Sequence, residues 1–209
     1  MNHDDELLER IQLLNEPMRR CMAAMSASSL KPVVYGFGEQ ATAAFFAEGT
    51  EILWREVGHL GASENVRRVL ETTMSLPESN EDDSNKPSYY AMRALAILYY
   101  ACEVWVGGDS ARAVLDASLG ASELCSCFDY YLLDDPIRFY TPDSLESRQK
   151  GPLESQQTSC QLRFLEVILG SEQTEESMVE WAKTKAKNLA GDLERVLPDI
   201  SRMRGWVRS

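Results

Sequence analysis

Residues 88–132 constrain the fold more than any other part of the chain. From Ser88 to Val106 the sequence SYYAMRALAILYYACEVWV is apolar nearly all round, as expected of a helix surrounded by other elements. Gly107-Gly108 ends it and Asp109 is placed to cap a successor. On that successor Ala113, Ala117, Gly120, Ala121, Leu124, Phe128 and Tyr131 recur at three-and-four spacing. A stripe of small residues lets two helix axes approach closely. Residues 88–106 and 109–132 are therefore predicted to form a central antiparallel helical hairpin.

The same periodicity runs through most of the chain. Helices are expected over about 4–15, from Pro17 to Ser26–Ser29, over about 39–59, from a Ser63 cap through Met74, over 153–169, and from beyond Gly170 to Pro198. The only β-like run is Val33-Val34-Tyr35, flanked by Pro32 and nearby glycines. No internal repeat and no linker divides the 209 residues, and 44% of them are hydrophobic, enough for a real core. The fold class expected is all-α: a single-domain bundle of about 6–8 helices, with a basic tail near 200–209 that carries Arg202, Arg204, Arg208 and Trp206. That tryptophan is expected to be exposed.

Charge narrows the partner. With 21 Lys and Arg against 33 Asp and Glu, the formal net charge is −12, a field that repels phosphate, so a nucleic-acid partner is not expected. The start is acidic, with no basic leader, and the Ala91–Val106 stretch is broken by Arg93 and Glu103, so no membrane partner is expected either. An odd set of five cysteines (Cys21, Cys102, Cys125, Cys127 and Cys160) in helical contexts suggests free thiols and a cytoplasmic location.

Signals for catalysis are weak. His3 lies in the terminus, and His59 sits where an imidazole can meet the free carbonyls of a helix end, with no nucleophile elbow beside it. Cys125 and Cys127 point roughly 200° apart on a helix and cannot grip one ion together, so they read as small buried hydrophobes. No Gly-rich phosphate loop, dinucleotide fingerprint or His-Glu-x-x-His run occurs. No cofactor and no metal is expected. The clearest loop is PESNEDDSNKP, residues 77–87, with Glu78, Glu81, Asp82 and Asp83 against Lys86. It is either a solvated segment or an anionic patch for a basic partner. Asp134-Asp135 resembles the start of a metal-binding aspartate motif, although Pro136 follows at once.

The run AMRALAILYYACEVWVGGDSARAVLDASLGASELCSCFDYYL resembles the signature half of the YjaG-type family of helical bacterial proteins. The resemblance rests on Gly108-Asp109, on Ala113 and Ala117, and on Asp129-Tyr130. It continues through Pro152, Leu153, Gln156, Gln157 and Gln161, and covers about residues 88–170. It implies an all-helical fold and a likeness to immunity proteins of toxin loci, and it carries no catalytic residue.

The leading expectation is a cytoplasmic immunity protein, not an enzyme, that binds a basic toxin domain through Glu78, Glu81, Asp82, Asp83, Asp134 and Asp135. Two rivals stand beside it. One is a helical enzyme holding a divalent metal on Asp129, Asp134 and Asp135, and the other is a non-catalytic scaffold or homo-oligomer.

Overall fold

The computed structural model describes residues 3–59, 61, 63–132, 150–170 and 174–206. These residues form nine α-helices and one 3₁₀ turn, with no strand among them: α1 (His3–Gln12), α2 (Glu16–Ser28), α3 (Lys31–Phe37), α4 (Gln40–Glu56), α5 (Glu64–Thr73), the 3₁₀ turn (Pro77–Asn80), α6 (Pro87–Val106), α7 (Ser110–Leu132), α8 (Pro152–Gly170) and α9 (Glu175–Met203). The chain is an all-α bundle. No helix among the described residues is long and apolar enough to cross a membrane.

The hairpin of α6 and α7 is antiparallel. Tyr90 meets Tyr131, Arg93 Nη2 lies 2.9 Å from Glu123 Oε2, and a Cβ on Gly120 would lie 3.0 Å from Ile97 Cγ1. Pairings that step forward on α6 step backward on α7. Asp109 caps α7 through Oδ1, which accepts the Arg112 N–H at 3.0 Å.

A third central helix, α2, packs on both arms of the hairpin. Residues 21–30 are all buried. Ala23, Ala24, Ser26 and Ala27 present little bulk, and Ser26 Oγ sits 3.4 Å from Ser118 Oγ on α7. The close approach that small side chains permit therefore extends over three helices. Gly49 of α4 gives a similar contact, with its Cβ position 3.1 Å from Val69 and 3.2 Å from Leu98.

Two local expectations change. Val33-Val34-Tyr35 is helical, in α3, because Val33 and Val34 are fully buried against the bundle and packing outweighs their β preference. The last helix continues through Pro198 to Met203. Pro198 is exposed while Leu197 and Ile200 are buried. The missing N–H costs little beside water, and the apolar stripe holds the helix together on its other side.

The five cysteines form no disulfide. Burial pushes the Cys21, Cys102 and Cys125 thiols up, and that of Cys160 to about 11.

Candidate protein-binding surface

The acidic loop is a braced structure. Glu81 Oε1 accepts the Asp83 backbone N–H at 3.1 Å, and the Glu81 carboxylate also takes Lys86 Nζ at 3.2 Å and the Ser88 hydroxyl at 3.1 Å. Asp83 Oδ1 accepts both the backbone N–H and the side-chain amide of Asn85, at 3.0 and 3.1 Å. That backbone hydrogen bond from Asp83, aided by Lys86 and Ser88, lowers the Glu81 carboxyl from its ordinary value. The bonds from Asn85 do the same for Asp83. Asp82, between them, is exposed.

The C-terminal segment seals this loop from one side. Trp206 Nε1 donates to the Asn85 carbonyl at 2.7 Å, and Arg204 Nη2 reaches Asn85 Oδ1 at 3.4 Å. The Trp206 ring packs on Phe37 and Tyr90 with centroids 5.3 and 5.2 Å away, and the Arg204 guanidinium lies 4.7 Å from the Tyr131 ring. Gly205, at φ +69°, supplies the left-handed turn that brings the tryptophan back. Beneath it the Tyr90 hydroxyl donates to the Ser84 carbonyl at 3.1 Å and pairs with the Tyr131 hydroxyl. Burial and that pairing raise the Tyr90 hydroxyl pKa. Trp206, expected to be exposed, is half-buried, since its ring completes an aromatic cluster with Phe37 of α3, Tyr90 of α6 and Tyr131 of α7.

Glu78 does not belong with the other loop acids. It is 5% exposed; its Oε1 accepts the Glu39 N–H at 2.8 Å and its Oε2 the Thr42 hydroxyl at 2.8 Å. Both oxygens serve the start of α4, one taking the N–H of its N-cap residue and the other the hydroxyl of a first-turn threonine. Asp134 and Asp135 lie outside the described residues.

Asp129 is likewise committed to a helix start. It is 2% exposed, and its two oxygens accept the N–H groups of Leu153 and Glu154 at 3.0 and 2.8 Å. Among the described residues no group of three or more His, Cys, Asp or Glu side chains is arranged to hold a metal ion.

His59 lies beyond the end of α4, and its Nδ1 donates to Glu56 Oε2 at 2.8 Å. Its carbonyl and that of Gly61 accept from Arg20, the latter at 3.2 Å, while the Arg20 guanidinium stacks 5.4 Å from the Trp105 ring. Desolvation opposes ionisation of Glu56, but hydrogen bonds from His59, Asn65 and Ser63 outweigh it and hold the carboxyl below the ordinary glutamate range.

The bundle also contains a polar layer. Gln161 Nε2 donates to the Ser118 carbonyl at 2.9 Å and its Oε1 accepts from Ser122 at 3.4 Å. One turn away, the fully buried Gln157 amide has no hydrogen-bond partner among the described residues. The glutamines of α8 are visible in the sequence, but the serines they meet are on another helix.

A solved structure of a DUF416 family protein from Shewanella baltica superposes on this bundle with a TM-score of 0.62. The match covers 87% of this chain and 93% of that one, at 16% identity. The likeness is one of fold. No protein-family model and no curated protein matches the chain.

Proposed function

We propose that this protein is a non-catalytic inhibitor that binds a basic protein, acting in the cytoplasm as an immunity protein neutralises its toxin. The observation that carries the reading is the state of the acidic loop. Glu81 and Asp83 hold the backbone in one conformation, Asp82 faces solvent, and Trp206 pins Asn85 from behind. A surface already ordered loses little conformational freedom on binding, and its charge steers a cationic partner toward it. The resemblance of residues 88–170 to the YjaG-type family supports the same reading. The rival metal enzyme loses one of its ligands, because both oxygens of Asp129 already accept backbone N–H groups.

The test is co-expression with the toxin encoded beside its gene, followed by stopped-flow association at two ionic strengths. Protection is expected. Reversing Glu81, Asp82 and Asp83 to Lys slows association severalfold at low salt. Asp82→Lys alone, which leaves the braces in place, acts in the same direction. At physiological salt the Debye length falls to ~8 Å and much of the difference disappears. Failure to protect rejects the reading, and protection with charge-insensitive association removes the loop from it.

A further inference from the structure

Charge explains how a partner is drawn in, and a tight complex also needs apolar anchors that lose their water. Where α5 and α6 pack together there is a groove of about 300 Å³, lined by Thr73, Met74, Ser79, Met92, Leu95, Ala96, Tyr99 and Tyr100. None of these side chains is charged. Met74 is 63% exposed and Tyr100 39%, so two large apolar side chains stand at its rim in water. Methionine adapts its shape to what it meets, and tyrosine offers rigid contact area at small entropic cost.

The groove adjoins the acidic loop along the chain. Ser79 lines it two residues before Glu81, and Met92 lies one helical turn beyond Ser88, whose hydroxyl donates to Glu81 at 3.1 Å. Further acids flank it: Glu71 is exposed one turn before Met74, and Glu103 hydrogen-bonds Tyr99. The cations nearest along α6 are spent locally, Lys86 on Glu81 at 3.2 Å and Arg93 on Glu123 at 2.9 Å. Two larger grooves lack this combination. The one between α8 and α9 mixes Arg163 and Lys185 with Glu166 and Asp192. The one between α3 and α9, of about 600 Å³, holds Lys31 and Glu194.

We propose that the α5–α6 groove is the anchor site for an amphipathic helix of a basic protein, whose apolar face seats between Met74, Met92 and Tyr100 while its lysines or arginines lie over Glu81, Asp82 and Glu71. The site rests on the proposed function above, and supplies that reading with its binding pocket. Anchors spaced three and four residues apart on a helix suit a slot of this kind.

The probe is an amphipathic leucine–lysine peptide of about 15 residues, long enough to form a helix, with a control in which glutamate replaces each lysine. The protein carries ¹³C-methyl methionine. The lysine peptide is expected to shift the Met74 and Met92 methyl resonances and to bind at least about tenfold tighter than the glutamate peptide at low salt. Met74→Glu and Tyr100→Glu, both at exposed positions, are each expected to weaken it about tenfold. Tyr35→Glu, in the α3–α9 groove, leaves it unchanged. Shifts confined to other methionines, loss of binding in Tyr35→Glu alone, or equal binding of the two peptides each overturn the groove assignment. Because toxin protection is measured separately, a chain that protects while its Met74 and Tyr100 variants bind normally loses the groove and keeps the function.

Discussion

Gly151 lies so close to the Asp129 carboxylate that a Cβ on it would overlap Asp129 Cγ. The contact lets a side chain of α7 cap the first turn of α8, where Leu153 and Glu154 would otherwise leave N–H groups without acceptors. Asp129→Ala is expected to cost about 2 kcal/mol, since a lost cap and a buried unsatisfied donor add together. Gly151→Ala destabilises to a similar degree by forcing the carboxylate away. Thermal unfolding checks both, with Tm falling by roughly 4–8 °C.

The α6–α7 contact is expected to resist any added bulk. Ala117 is fully buried, and the Gly120 Cβ position already reaches Ile97 at 3.0 Å. Ala117→Leu or Gly120→Leu should therefore overpack the hairpin and cost about 1–3 kcal/mol by denaturant titration. An unchanged midpoint in both would contradict this packing.

Removing the Trp206 ring should loosen the acidic loop more than the bundle. Trp206→Ala deletes the hydrogen bond to the Asn85 carbonyl and the contacts with Phe37 and Tyr90. Amide hydrogen exchange is expected to accelerate over residues 81–86, while the buried centre of α2 keeps its protection. Uniform acceleration would mean that the ring supports the whole core instead.

Acid should act through Glu56. Its folded-state pKa lies below that of the unfolded chain, so the unfolded state binds the proton first and stability falls as pH drops through the folded value. The stabilisation is complete at neutral pH. Glu56→Gln is expected to be less stable than the parent at neutral pH, with the gap narrowing as pH falls below the ordinary glutamate range. Urea midpoints across pH 7 to 3 measure it, and a gap that stays constant would exclude Glu56 as the titrating group.

What the sequence determined by itself is the local framework. The three-and-four spacing of residues 88–132 marks α6 and α7, Gly107-Gly108 separates them, and Asp109 and Ser63 cap helices three residues ahead. These signals are legible because cause and effect lie within one helical turn. Tertiary structure decided the rest. Glu78 resembles its neighbours in the acidic loop, yet it is withdrawn by Thr42, 36 residues away. Asp129 becomes a cap through Leu153, 24 residues on, and Trp206 is brought in by Asn85 across 121 residues. Burial likewise turned Val33 and Val34 from a β-like run into helix. A side chain's type and its immediate neighbours set what it can bond to, and only the packed bundle sets which partner comes within 3 Å of it and whether water is left to compete.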